Sequence, residues 1–359
     1  MRMQSRSYLK MKNKIIDLFC GCGGLSLGFE MAGFEVSYAI DMWAKAVATY
    51  NHNHEKKVAE CVDIHSLTDE QLVALNKNND VIGVIGGPPC QGFSKVGTRN
   101  VNDPRNHLYL EYYRVVKLVQ PEFFVIENVS GLLTLSKGLF RDDIVERFGK
   151  LGYDVAFQEV VASDYGVPQN RHRVFFVGMK KKKFVFPSKI EGVVTSKDAI
   201  SDLLPLSAED GLEDEHGYAS APQNDYQKKM RGKQKTVKNH QITIHTQQTI
   251  DIISMVPDGG TIYDLPDEYW NVRKYRKGFE RMPSFKPCHT VDTGHRNYFH
   301  YSENRIPTAR ENARLQSFPD WYEFLGTKTD QYKEIGNAVP PILAYHIASA
   351  IKDQLTEEE

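Results

Sequence analysis

From position 14 onward, short β-branched apolar runs alternate with helix-length amphipathic stretches, the pattern of a parallel sheet covered by helices on both faces. Strands are expected over 15–19, 36–40, 81–85, 123–126, 155–161 and 174–178. Leu25 opens an amphipathic stretch that Gly33 should close, and Thr68 with Gln71 forms a capping box for another helix. Further helices are expected over 108–119, 142–150 and, much later, 341–352. The run Phe-Phe-Val-Ile at 123–126 is apolar at every position, which predicts burial on both faces.

The alternation fades after Gly178. A lysine run at 180–183 precedes an acidic, turn-rich segment, and 228–238 then carries six basic and no acidic residues. A second basic group around Arg273 and Arg276 is interleaved with Tyr269, Trp270, Tyr275 and Phe279. Cations among aromatics suit a phosphate backbone and stacked bases, although solvated helix and loop faces have the same composition. The shift predicts a domain boundary after Gly178.

Composition narrows the class. In 359 residues, 45 Lys and Arg face 46 Asp and Glu, so any nucleic-acid surface must be local rather than global. No apolar run approaches the roughly 20 residues of a membrane span, and the basic start lacks a signal peptide's apolar stretch, so a cytoplasmic protein is expected. Five cysteines without CxxC spacing argue against a disulfide framework and a zinc site, and Cys20, Cys22 and Cys61 are expected to be small buried residues. The histidines between His240 and His300 show no ligand spacing either, so no metal is expected.

Candidate chemistry gathers at the predicted strand ends. DLFCGCGG, beginning at Asp17, places glycines where strand one turns into a helix, suited to a nucleotide-like cofactor. A dinucleotide fingerprint would want glycine where Ser26 stands, which disfavours a nicotinamide oxidoreductase. Asp41 ends strand two at the distance suited to ribose hydroxyls, and Asp63 could accept from an adenine amino group; either could equally be a helix cap. GGPPCQGFS, from Gly86, puts Cys90 on a proline-stiffened loop at the carboxyl edge of the sheet, where a thiolate nucleophile belongs. Glu127 closes the fully apolar strand at the same edge, where its carboxyl could donate to a ring nitrogen. In QNRHR, alternation puts Gln169, Arg171 and Arg173 on one side, facing an anionic or carbonyl-rich ligand.

Taken in order with ENV at Glu127, RIPTARENARLQSFPD from Arg305 and GNAVPP from Gly336, these motifs resemble the DNA (cytosine-5)-methyltransferases of bacterial restriction–modification systems. The resemblance implies an α/β fold: an S-adenosylmethionine-dependent, Rossmann-like methyltransferase sheet over 1–185, completed by a returning tail, 331–359, with a smaller, variable target-recognition domain over 186–330. It implies S-adenosylmethionine held by Phe19, Gly21, Gly23, Asp41, Met42, Asp63, Ile64, Pro89 and Leu110, with Asn337 and Val339 closing over it and S-adenosylhomocysteine as product. The family often has an aromatic where this chain has Met42. Cys90 would add to C6 of a flipped cytosine, Glu127 would engage N3, Arg173 would hold O2 and Arg171 would order the site.

By the same resemblance, duplex DNA is the substrate and an endonuclease of the same specificity the functional partner of a monomeric, nucleoid-associated enzyme. Gln91, Ser94, Lys228, Lys229, Arg231, Lys233, Arg273 and Arg276 are the candidate DNA contacts. Arg310, Glu311 and Arg314 are expected to organise the smaller domain. The alternatives are a transfer-RNA cytosine-5 methyltransferase and a catalytically inactive DNA-binding regulator.

Overall fold

The structure is a computed structural model, and it describes residues 13–89, 108–134, 138–207, 211–270, 280–294 and 298–356. Strand β1 (Lys14–Leu18) turns through the glycine-rich segment into α1 (Gly24–Met31), followed by β2 (Glu35–Asp41), α2 (Ala44–Asn53), β3 (Ala59–Cys61), α3 (Asp69–Ala74) and β4 (Val81–Gly86). Then come α4 (Leu108–Val119), β5 (Phe123–Val129), α5 (Leu139–Gly149), β6 (Asp154–Val161), β7 (Gln169–Asn170) and β8 (His172–Met179). The remainder carries α6 (Ser196–Ile200), α7 (Asp225–Arg231), α8 (Gln247–Met255), β9 (Cys288–His289), α9 (Ala309–Leu315), α10 (Lys328–Asn337) and α11 (Pro341–Thr356).

Seven strands form one sheet in the order β3-β2-β1-β4-β5-β8-β6, and β7 pairs separately with β9. Strands β1 to β5 are parallel, but β8 runs antiparallel to both β5 and β6, where a wholly parallel sheet was expected. The cause is the short connection 162–171, which falls below the dozen or so residues that a parallel crossover needs. In consequence β8 begins at the edge where β5 ends. The order reverses between β1 and β4, the point at which open α/β sheets bind ligands.

Period-two alternation divides the core. Ile15, Phe123, Val125, Phe175 and Val177 share a layer with α1 and α11, whereas Ile16, Leu18, Phe124, Ile126, Val174 and Phe176 pack with α4 and α5. Both faces of 123–126 are thus buried, as its composition requires. The layer on the α1 side does not stop at 186: Ala199, Ile200, Tyr226, Met230, Val237, Ala313, Phe318 and Phe324 belong to it. A separate small cluster holds Ile252, Ile253, Val256, Ile262, Leu265, Phe299 and Ile306. The buried apolar residues of 186–330 thus divide between the main core and the small cluster. The composition shift after Gly178 reports exposed loops, while the apolar positions between them still feed the main core.

Helix starts obey local chemistry. The Thr68–Gln71 capping box has both its bonds, and Thr195–Asp198, Thr308–Glu311 and Thr327–Asp330 make three more. Around α9 the buried charges are compensated: Arg305 grips Glu311 through two bonds of 2.8 and 2.7 Å, and Arg314 lies between Asp320 and Asp202. Arg310 donates to the carbonyls of Lys238, Pro319 and Tyr322. Arg310 and Arg314 thus tie separate chain segments around α9 to one another.

The tail closes on α1 by contact of bare backbone. A Cβ at Gly28 would stand 2.3 Å from Ala344 Cβ and 2.6 Å from the Pro341 carbonyl oxygen. Glu334 on α10 is buried, and removal from water raises its carboxyl pKa to about 8, partly offset by Thr49. Asp17 is buried likewise and raised to about 8 for the same first reason.

Gly28→Ala should destabilise the protein by about 1–3 kcal/mol through overpacking, although alanine favours a helix by about 1 kcal/mol; urea unfolding that shows a gain would refute the close contact. Because the folded protein binds the Glu334 proton more tightly than the unfolded chain, that contribution to stability is complete below about pH 4.5 and is lost as pH rises through about 8. Glu334→Gln should accordingly flatten the fall of Tm between pH 5 and 9 and leave the variant more stable than its parent at the alkaline end. Parallel Tm curves for the two proteins would show that Glu334 is solvated.

Candidate active site

The turn after β1 is built from unusual backbone. Phe19 has φ 61°, Gly21 φ 54° and Gly23 φ 96°. A Cβ on Gly23 would lie 2.5 Å from His54 Nε2 and 2.9 Å from the Tyr322 hydroxyl, so only glycine lets the loop descend this far. Asp41, at the end of β2, accepts from the Gly21 amide at 2.9 Å and from the Trp43 amide at 2.8 Å. Burial raises the Asp41 carboxyl pKa, while these backbone donors pull it back down.

Beneath the loop lies a polar support that sequence reasoning missed. Ser26 donates to Asp17 at 2.6 Å, and the Tyr50 hydroxyl donates to Ser26 at 3.0 Å. Serine replaces the fingerprint's third glycine here because its hydroxyl answers a buried carboxyl. His54 stacks on Tyr50 with centroids 3.9 Å apart and bonds Glu30 at 2.7 Å, and the Tyr322 hydroxyl donates to the Cys22 carbonyl. The i, i+4 spacing of Tyr50 and His54 was a local signal, whereas nothing in the sequence ties Tyr322 to this loop. Cys20 and Cys22 are buried as expected, but Cys61 is exposed because it ends the edge strand β3.

The remaining cofactor candidates line the same edge unevenly. Asp63 is exposed and caps a short turn over Ile64–Ser66, accepting from His65 N at 3.0 Å and His65 Nδ1 at 2.8 Å; these bonds hold its carboxyl below the usual range. Ile64 is buried, with its carbonyl held by Arg114, while Leu110 and Pro89 are half-buried. Met42 is largely exposed. At the tail, Val339 is buried against Gly24, where a Cβ would meet the Val339 carbonyl oxygen at 2.4 Å, and Asn337 is exposed at the end of α10. A glycine cradle, a carboxylate at the β2 end, an open side at Met42 and a tail seated on the loop fit a nucleoside bearing an amino-acid arm.

At the other side of the switch point, Arg173 Nε meets Glu127 Oε1 at 2.7 Å. The antiparallel register places Val129 opposite Arg173, so Glu127 and Arg173 lie diagonally on one face at the edge. Glu127 therefore meets a guanidinium rather than an apolar pocket. Asn128 donates to the Pro88 carbonyl at 2.9 Å, and a Cβ at Gly87 would stand 3.0 Å from Glu127 Oε2. The stretch that leads to Cys90 is thus tied down beside Glu127. Cys90, Gln91, Ser94, Arg273 and Arg276 lie outside the described residues.

Arg171 is fully buried at the break between β7 and β8, and burial together with neighbouring Arg173 pushes its guanidinium pKa well down. It donates to the carbonyls of Val291 at 3.3 Å and Gly336 at 2.7 Å. The burial of Gln169, Arg171 and Arg173 follows the alternation read from the sequence, but Gln169 and Arg171 are turned into the protein. The basic candidates on and after α7 divide. Arg231 lies 3.6 Å from the Tyr218 ring centroid and donates to the Ser220 carbonyl, and Lys229 sits over Tyr345 at 5.6 Å. Arg231 is half-buried and engaged by these partners, whereas Lys229 is exposed. Lys228, paired with Asp225 at 2.9 Å, and Lys233 are exposed.

The family model for C-5 cytosine-specific DNA methylases matches residues 13–353. The Type II methyltransferase M.DdeI of Desulfomicrobium norvegicum is 41% identical, covering 94% of this chain and 88% of that protein. M1.HphI of Haemophilus parahaemolyticus is 39% identical over 96% of this chain and 87% of its own length. Among solved structures, a prophage-encoded E. coli protein described as a DNA modification methyltransferase superposes with a TM-score of 0.81 at 31% identity, covering 96% of this chain and 99% of that one. Sequence, fold and the convergence of glycine turn, Asp41, Glu127 and Arg173 agree, and the chain belongs to the C-5 cytosine-specific DNA methylase family.

Proposed function

We propose that this chain methylates C5 of a cytosine within a short, specific duplex DNA sequence, as the modification partner of an endonuclease of the same specificity. The observation that carries the reading is the Glu127–Arg173 pair at 2.7 Å, on the sheet edge shared with the glycine loop and beside the stretch that delivers Cys90. Relatives that carry Type II methyltransferase names support the biological setting.

S-adenosylmethionine, when bound, supplies an electrophilic methyl group. Phe19, Gly21, Gly23, Asp41, Met42, Asp63, Ile64, Pro89 and Leu110 would hold it, and Asn337 and Val339 would cover it. The chain's own residues act on the cytosine. Its ring is shielded in a duplex stack, so the base must be extruded at a cost of about a few kcal/mol. The Cys90 thiolate adds to C6, forming the S–C6 bond and pushing electrons toward C5. Glu127 bonds N3 and favours this electron flow, and Arg173, held in place by Glu127, reaches O2. C5 would take the methyl group as its bond to the sulfonium sulfur breaks, leaving S-adenosylhomocysteine; loss of the C5 proton to a base and expulsion of the thiolate then restore the ring double bond and free Cys90. Arg171 keeps the β7–β8 break in shape. Lys228, Lys229 and Lys233 are described basic candidates on the exposed surface, suited to phosphates.

Base-resolution mapping of 5-methylcytosine on an unmethylated plasmid treated with protein and S-adenosylmethionine should show one short motif fully modified. Cys90→Ser should abolish the signal, and Glu127→Gln should slow it by about 10²–10⁴-fold. Folded protein that leaves DNA unmodified, but methylates transfer RNA, would replace duplex DNA as the substrate.

A further inference from the structure

Two glutamines far apart in sequence touch in the core and bridge the segment before the small cluster to the turn beside the cofactor loop. Gln169 Nε2 donates to Gln316 Oε1 at 2.5 Å, and both residues are fully buried. Gln316 Nε2 donates to the Ile335 carbonyl at 2.9 Å and to the Ala338 carbonyl at 2.7 Å. Arg171 takes the carbonyl between them, Gly336. Carbonyls at the end of α10 and just past it are thus met by side chains, and Asn337 lies between residues held on both sides.

The same side chains hold Val291 by both backbone groups. Its amide donates to Gln169 Oε1 at 2.9 Å, and its carbonyl accepts from Arg171. Strand β9, just before it, pairs with β7, and Thr290 donates to the Asn170 carbonyl at 3.0 Å. Contact with the tail is direct as well: a Cβ at Gly336 would lie 2.4 Å from the Asp292 carbonyl oxygen. Segment 288–293 and turn 335–339 therefore share one set of buried partners. A shift of either leaves a buried amide or carbonyl unpaired, unless the other shifts with it.

We propose that Gln169 and Gln316 are positioning residues that couple cofactor binding at turn 335–339 to DNA binding through segment 288–293. The proposal rests on the reading above, in which Asn337 and Val339 cover the cofactor, and on target recognition within 186–330, the stretch that holds both segment 288–293 and the small cluster. Neither glutamine touches a reacting atom. Their effect is a coupling, so each ligand tightens the other by the same factor.

The test measures S-adenosylhomocysteine affinity calorimetrically, with and without a duplex that contains the mapped methylation motif. The unaltered protein should bind S-adenosylhomocysteine at least about fivefold more tightly with duplex present, a factor within the usual allosteric range. Gln316→Met and Gln169→Met should each bring that factor to within about twofold of one. A variant that is only less stable keeps the parent's factor, so an unchanged factor in a folded variant overturns the proposal. Hydrogen exchange on the unaltered protein decides the matter if neither variant folds. S-adenosylhomocysteine alone should slow exchange over 288–294, and duplex alone should slow it over 335–339; protection confined to each ligand's own segment overturns the coupling. Binding of both ligands with a factor of one removes the coupling but leaves the proposed function standing. Failure of the unaltered protein to bind either ligand removes both.

Discussion

The close approach of the tail to the first helix is the constraint on which the site depends. At Gly24 a single added carbon would come within 2.4 Å of the Val339 carbonyl oxygen, and at Gly28 within 2.3 Å of Ala344. With those glycines, more than 300 residues of intervening chain close back so that α10 and α11 rest on the cofactor turn. The turn itself is shaped from both sides: by the tail above, and by Ser26, Tyr50, His54 and Tyr322 beneath. A backbone with φ above 50° at Phe19, Gly21 and Gly23 is held by these surroundings rather than by local preference.

A second theme is the use of buried polar side chains to join segments rather than to add net stability. Arg171, Arg310 and Arg314 are almost without solvent contact, and most of what they bind is backbone carbonyl. Desolvating a guanidinium is costly, and the return is geometric: one cation holds several chain segments in one arrangement. The organisation suits a protein whose candidate site residues come from several strand ends and a returning tail.

Much of this was legible locally. The alternation of apolar runs located the strands β1, β2, β4, β5, β6 and β8, because side-chain periodicity follows backbone geometry. The Thr68 box marked α3, and the same spacing at Thr308 and Thr327 marks α9 and α10, two helices that hydrophobic periodicity alone did not suggest. The glycine turn, Asp41, Glu127 and the QNRHR side chains could be placed at strand ends from position in the pattern. The antiparallel course of β8 was legible in principle from the length of its connection, whereas the apolar positions after Gly178 that join the main core were not, since composition follows exposure.

The sequence alone therefore determined the elements, the chemistry available at the sheet edge and the family resemblance, because each is encoded in spacing along the chain. Tertiary structure decided which of those groups meet. It paired Arg173 with Glu127 through an antiparallel register, set Arg231 over the Tyr218 ring and Lys229 over the Tyr345 ring, brought Tyr322 under a loop 300 residues earlier and set Gln169 against Gln316. Those contacts depend on how layers close in three dimensions, and a side chain's partner across such a distance leaves no periodic trace in the residues beside it.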